Sequence, residues 1–216
     1  TGQNFCKLAL EAGYYVKALS SSQQQEDNKA ASKQGWRNYA HLTIYDGTIQ
    51  QDDVVSEVIH GSTFVVCMQG DVQPKNKDYK PLTLALFVKK IYPLMRESTT
   101  RLFVYQATSF CCDLSGGTPI LSKVAKRILS QNKQTEDHNA VIQYMAESTG
   151  DWFSILVTRP SPYLKSGRSK KRLAASKSQP SPVPVTYYDL AEFTLNALKD
   201  ESLYNKAPYV VGDGFR

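Results

Sequence analysis

Segments with the periodicity of a strand and segments with the periodicity of a helix alternate along almost the whole chain. The apolar run 63–68 lies between Gly61 and Gly70, as expected of a strand that is covered on both faces and central to a sheet. Pro81 then begins a segment in which apolar residues recur at helical spacing up to Ile91. Such alternation favours crossover connections that place helices on both faces of a sheet. The predicted fold class is therefore α/β, a doubly wound and mostly parallel sheet.

The other predicted elements continue the same order. Strands are expected at 14–19, 42–49, 101–107, 153–157 and 209–211. Helices are expected in the first residues up to Gly13, after Asp52, at 121–129, at 137–148 and after the capping pair Thr186 and Asp189. Pro93 is expected to kink or close its helix near the end. The Ser-, Lys- and Pro-rich stretch 165–184 is expected to be a mobile loop within a single domain.

Composition narrows the class of ligand. The 26 basic and 20 acidic residues leave a net charge of +6, which suits an anionic ligand but lacks the concentrated charge of a nucleic-acid binder. No apolar run reaches the roughly 18 residues that a membrane span needs. The four cysteines lack metal-ligand spacing, so no metal site is expected, and they point to a reducing, cytoplasmic compartment: Cys6, Cys67, Cys111 and Cys112.

Four short motifs occur in an order that is typical of one family. They are Thr-Gly-Gln-Asn-Phe at 1–5, Ile-Tyr-Asp-Gly at 44–47, Asp-His at 137–138, and the stretch 151–160 that opens on Asp-Trp and closes on Arg-Pro. In this order the chain resembles the atypical short-chain dehydrogenases/reductases, which include the flavin and biliverdin-IXβ reductases and the NmrA-like redox sensors. The resemblance implies an NAD(P)-binding Rossmann domain in which residues 1–5 are the end of a glycine-rich turn.

The resemblance also implies that one strand precedes the first helix. In this fold the first strand lies in the middle of the sheet, between the second and the fourth, so its absence would leave two rows of buried backbone groups unpaired. We therefore expect the domain to be N-terminally incomplete, with a strand and a Gly-x-x-Gly-type segment upstream of Thr1.

Ligands of doubly wound sheets bind at the carboxyl ends of the strands, and the resemblance implies a nicotinamide dinucleotide. The amides at the start of the first helix, at Gly2, Gln3 and Asn4, would receive the pyrophosphate. Ser20 and Ser21 follow the next strand without an acidic neighbour, which favours NADP slightly over NAD. The remaining expected contacts lie at later strand ends: Asp46, Gly47, Met68, Gln69, Gly70, Ala107, Thr108, Arg159 and Pro160.

Several of these residues have a structural alternative. Asp46 and Gly47 are also typical of a turn after a strand, and the serines after Leu19 are also typical of a polar loop. Arg159 can close a nicotinamide pocket or pair with a neighbouring carboxylate.

The catalytic machinery is less defined. No tyrosine has a lysine four positions later, so the Tyr-x-x-x-Lys pair of the main dehydrogenase families is absent. Ser109 can orient nicotinamide or substrate, and His138 can donate a proton. The alternatives are that Ser109 caps the following loop and that His138 is a solvent-facing histidine at a helix start.

Two functions fit these features. The first is an NADPH-dependent reductase that passes hydride to a small-molecule acceptor such as a flavin, a quinone or a related conjugated compound. The second is a non-enzymatic NAD(P)-binding sensor or assembly factor that exchanges protein partners with redox state, and a scaffold without cofactor binding is a third possibility.

Overall fold

The computed structural model describes residues 1–20, 39–68, 83–117, 132–148, 152–161, 164–169, 172–177 and 183–212. Five α-helices occur in these residues: α1 Gly2–Glu11, α2 Asp52–Ile59, α3 Thr83–Glu97, α4 Asn132–Glu147 and α5 Tyr187–Ala197. The nine strands are β1 Val16–Ser20, β2 Leu42–Asp46, β3 Phe64–Cys67, β4 Leu102–Gln106, β5 Ser154–Pro160, β6 Leu164–Lys165, β7 Leu173–Ser176, β8 Val185–Thr186 and β9 Tyr209–Gly212. None of these described helices combines the length and apolarity that crossing a membrane requires.

Local signals set several helix ends as predicted. Gly13 follows α1 with φ +85°, a left-handed conformation that disfavours side chains with a Cβ. Asp52 and Asp53 occupy the first turn of α2, where carboxylates stabilise the helix dipole. The Thr186 hydroxyl accepts a hydrogen bond from the Asp189 amide at 3.0 Å, so the predicted cap of α5 is confirmed.

The main sheet has the strand order β3-β4-β5-β9-β7. Its first four strands are parallel, and β7 runs antiparallel to β9. Two further parallel pairs are β1 with β2 and β6 with β8. The prediction of a mostly parallel α/β sheet is therefore confirmed.

Side chains that alternate along the strands fill a core on each face of the sheet. From β4, Phe103 and Tyr105 pack against α2, α3 and α4, whereas Leu102 and Val104 face the layer formed by α1 and α5. All four side chains are buried. Helices on both faces make the sheet doubly wound, as predicted.

The sheet is interrupted between β1 and β3, which do not pair with each other in the described residues. The Tyr14 ring ahead of β1 is 6.2 Å from the Phe64 ring of β3, so the start of the β1–β2 pair lies close to the start of β3. Phe5 of α1 packs against the core on one face, and Leu19 packs with α2 on the other.

Two expectations about individual elements need correction. The run 63–68 was predicted to be central, but β3 ends the five-stranded sheet and its residues Phe64, Val65 and Val66 are only half-buried. A loop throughout 165–184 is wrong for Leu173–Ser176, which pairs with β9. The short run that forms β7 has no clear periodicity of its own and becomes a strand through a partner far along the chain.

Of two other predictions, one needs correction and one is not tested. Pro93 does not close its helix, since α3 continues past it to Glu97. The helix predicted at 121–129 lies outside the described residues.

Candidate functional site

The ends of β1 and β2 bring two predicted ligand residues together. Ser20 and Asp46 are direct partners in the parallel register, and the Gly47 amide donates to the Ser20 carbonyl at 3.0 Å. Asp46 is exposed and Ser20 is half-buried. The carboxylate that sequence reasoning assigned to adenine therefore also lies next to the serine assigned to the ribose. Ser21 lies outside the described residues.

Packing within the turn explains why residue 47 is a glycine. A Cβ at this position would lie 2.9 Å from Oε1 of Gln51 and 3.1 Å from Cγ1 of Val54. That same Gln51 oxygen accepts a hydrogen bond from the Thr48 amide at 2.7 Å, at the start of α2. The glycine thus allows the turn to close against α2, which favours the structural alternative over backbone access for adenine.

The start of α1 contains the residues expected to receive a pyrophosphate. Gly2 and Gln3 form its first turn with Asn4, and the Thr1 side chain makes no capping hydrogen bond. A Cβ at Gly2 would meet nothing within 4 Å, so the space beside this turn is open. The positive end of the helix dipole adds to the attraction of this turn for an anion.

The loop after β4 follows the neighbouring strand closely. The Ala107 amide donates to the Thr158 carbonyl at 2.9 Å, and the Ser109 amide donates to the Pro160 carbonyl at 2.8 Å. Ser109 is only 3% exposed, whereas Thr108 is half-buried. Of these two hydroxyl residues, Thr108 is the better placed to contact a ligand.

Arg159 contacts backbone carbonyls. Its Nε donates to the Ala207 carbonyl at 2.8 Å and its Nη1 donates to the Cys111 carbonyl at 3.2 Å. The guanidinium carbon lies 3.9 Å from the centre of the Tyr209 ring, and the residue is 3% exposed. These contacts hold the loops after β4 and before β9 together and leave little of the side chain for a cofactor; Pro160 is buried beside it.

His138 lies in the core. Its Nδ1 is 2.6 Å from the Tyr105 hydroxyl oxygen, and only 3% of the residue is exposed. Burial lowers the pKa of the imidazole to about 4, and the nearby Asp137 carboxylate opposes that shift in part. A ring so enclosed is poorly placed for a general acid, which must reach its substrate. The alternative of a solvent-facing histidine at a helix start is also wrong, because His138 is buried and α4 begins at Asn132.

The cysteines behave as apolar fillers. Cys67, Cys111 and Cys112 are buried, and burial raises the pKa of the Cys112 thiol and that of Cys6, the latter to about 11. Within the part of the chain that the structure describes, no group of histidine, cysteine or acidic side chains has the arrangement of a metal site.

Two polar residues at the strand ends were missed by sequence reasoning. Gln106 ends β4 directly opposite Thr158 of β5, and the Gln106 Oε1 and Thr158 Oγ1 atoms are buried without a hydrogen-bond partner in the described structure. Buried polar atoms of this kind are stabilised by water or by a ligand. The available signal was a polar residue that ends an otherwise apolar strand.

The candidate residues thus form two groups at the carboxyl edge of the parallel strands. Ser20 and Asp46 lie at the ends of β1 and β2, and Met68, half-buried, follows β3. Thr108 follows β4, beside the end of β5. Gln69 and Gly70 lie outside the described residues.

Among known proteins, only solved structures are similar to this chain. No protein-family model and no curated protein matches the chain. Among solved structures, ChuY, an anaerobillin reductase from Escherichia coli O157:H7, is similar with a TM-score of 0.69 at 12% identity, over 100% of this chain and 93% of that one.

Two further structures show the same likeness. A short-chain dehydrogenase/reductase from Veillonella parvula DSM 2008 in complex with NADP has a TM-score of 0.65 at 14% identity, over 98% of this chain and 89% of that one. A candidate NADH-flavin reductase from Streptococcus pneumoniae TIGR4 has a TM-score of 0.64 at 15% identity, over 98% and 94%. The chain therefore has the Rossmann-type fold of the short-chain dehydrogenases/reductases, which is the fold that its resemblance to the atypical members of that family implied.

Proposed function

We propose that the protein binds a nicotinamide dinucleotide along the carboxyl edge of its sheet and, as a reductase, passes hydride to a conjugated acceptor such as a flavin or a quinone. The observation that carries the proposal is the set of polar residues at the carboxyl ends of parallel strands, with Ser20 paired to Asp46 and Gln106 ending β4. In open α/β sheets ligands bind outside the carboxyl ends of the strands. The similar structures that are described as an NADP complex, an anaerobillin reductase and a candidate NADH-flavin reductase support it.

The candidate residues suggest the orientation of the dinucleotide. Ser20 and Asp46 would contact the adenosine half, and the first turn of α1 would receive the pyrophosphate. Thr108 would contact the nicotinamide half, where its hydroxyl can hydrogen-bond the carboxamide. The residues present fit the group, because the hydroxyls, amides and net charge of +6 all suit a polar anion.

The bound dinucleotide would supply the hydride, and the protein's part would be alignment. Ser109 and His138 are each only 3% exposed, so solvent is the better proton source for the reduced acceptor. A flavin or quinone tolerates that source, because the reduced product takes up protons from water.

NADP is the proposed cofactor, with NAD as the competitor. The Ser20 hydroxyl can donate to a 2′-phosphate, whereas the neighbouring Asp46 carboxylate would repel that phosphate and accept from a free ribose hydroxyl. The two residues thus act in opposite directions.

A cofactor titration followed by a turnover assay tests the proposal. NADPH and NADH would be titrated by calorimetry, and NADPH oxidation would then be followed with a panel of flavins and quinones. Wild type is expected to bind and turn over, and Thr108→Val is expected to lower turnover because it removes only the hydroxyl. Failure to bind either nucleotide would reject the proposal.

The buried states of Ser109 and His138 favour one alternative, a redox sensor that binds the dinucleotide without consuming it. Tight binding without turnover of any acceptor would support that alternative and reject the reductase. A difference in protein partners between the NADP-bound and NADPH-bound states would then identify the sensor.

A further inference from the structure

Three consecutive residues of α4 contact three different parts of the carboxyl edge. Asp137 contacts the start of α3, His138 contacts the end of β4, and Asn139 contacts the loop that follows β4. Asp137 and His138 are buried, and Asn139 is half-buried. One stretch of α4 therefore contacts both the start of α3 and the loop that leaves β4.

Asp137 holds the beginning of α3. Its Oδ2 accepts from the Leu84 amide and its Oδ1 accepts from the Ala85 amide, both at 3.0 Å. A buried carboxylate at a helix N-terminus is stabilised by the helix dipole as well as by these bonds. Because both oxygens are used, α3 is fixed in orientation as well as in distance from α4.

His138 holds the end of β4 through the Tyr105 hydroxyl, at 2.6 Å. The lowered pKa of the ring, about 4, keeps it neutral at physiological pH. A neutral ring can accept the tyrosine O–H at Nδ1, so this contact persists without a buried charge.

Asn139 holds one side of the loop after β4. Its Oδ1 accepts from the Cys112 amide at 2.9 Å, while the Cys111 carbonyl accepts from Arg159 of β5 at 3.2 Å. The loop that carries Thr108 is thus held between α4 and β5.

We infer that Asp137, His138 and Asn139 are positioning residues that align the loop after β4 with the start of α3, and so shape the nicotinamide half of the binding site. The inference rests on the proposed function. None of the three would contact the cofactor, and their effect would pass through Thr108 and its neighbours. The part of the site that would bind the adenosine half, at Ser20 and Asp46, lies on other strands. Its affinity should not change when these three residues are replaced.

Binding of a half ligand separates this role from general destabilisation. In Asn139→Ala, the Kd of NADPH should rise about tenfold, equivalent to about 1.4 kcal/mol. The Kd of 2′,5′-ADP, which lacks the nicotinamide half, should stay within about twofold. Asn139→Asp keeps the acceptor for the Cys112 amide and should restore most of the NADPH affinity. Gln143→Ala, an exposed change on the same helix, is the matched control and should alter neither constant.

Amide hydrogen exchange provides a second test, which needs no cofactor. Asn139→Ala should raise amide exchange in the loop 107–112 and leave that of β4 unchanged. An equal rise in Kd for both ligands, or unchanged exchange in the loop, would overturn the inference. If the wild-type protein bound no dinucleotide, both the proposed function and the effect of these residues on cofactor binding would be rejected. Hydrogen exchange in the loop would then show whether the three residues order that loop.

Discussion

The Tyr105 hydroxyl lies 2.6 Å from Nδ1 of His138 in a part of the core where almost nothing of either side chain reaches solvent. The two rings meet edge to face, with their centres 5.7 Å apart. A histidine in such a place resists protonation, because its cation would lose hydration without gaining a carboxylate at hydrogen-bond distance among the described contacts. His138 should therefore contribute to the pH dependence of the free energy of unfolding.

We expect His138 to destabilise the protein in acid. Its pKa is about 4 in the native state and about 6.5 in an unfolded chain, so the unfolded state binds more protons between these values. The free energy of unfolding should fall by roughly 3 kcal/mol from this group as pH drops from 6.5 to 4. Urea unfolding at a series of pH values measures this change in the free energy of unfolding.

The matched comparison is with His138→Gln and His41→Gln. His138→Gln should be less stable at pH 7 but lose less on acidification, whereas His41, which is exposed, should keep the wild-type slope when replaced. Parallel curves for wild type and His138→Gln would show that the ring does not titrate as described.

Replacement of Arg159 by lysine should lower the free energy of unfolding. A single ammonium cannot reach the Ala207 and Cys111 carbonyls and also lie over the Tyr209 ring as the planar guanidinium does. Arg159→Lys should lower the free energy of unfolding by about 2 kcal/mol. Arg168→Lys, at an exposed ion pair with Glu192, should cost less than about 0.5 kcal/mol. Similar losses in the two variants would contradict this account.

Asp46 should set the preference between the two nicotinamide cofactors. Because its carboxylate lies beside Ser20, Asp46→Asn should raise the ratio of NADPH to NADH affinity about fivefold, equivalent to about 1 kcal/mol between exposed charges. Glu57→Gln makes the same change of charge on the exposed side of α2 and should leave the ratio unchanged. Titration of both cofactors against each variant measures the ratio, and an unaltered ratio in Asp46→Asn would place the ribose elsewhere.

Most elements followed from local pattern. The spacing of Val55 and Ile59 predicted α2, because burial of one helix face imposes a period that can be counted in the sequence. The apolar run at 101–107 predicted β4, because a strand covered on both faces is apolar at successive positions. Leu173–Ser176 escaped prediction, since its strand conformation depends on pairing with β9. The candidate site was predicted only in outline, as residues at strand ends.

What the sequence by itself determined is the order of strands and helices, and hence a doubly wound sheet with polar groups at one edge. Only the tertiary structure decided which of those groups face solvent. His138 and Arg159 resemble site residues in sequence, yet each is 3% exposed and bonded to its neighbours, whereas Asp46 and Ser20 become adjacent through strand pairing. The physical reason is that periodicity reports the buried face of one element, whereas exposure and partnership depend on residues that are distant in the chain.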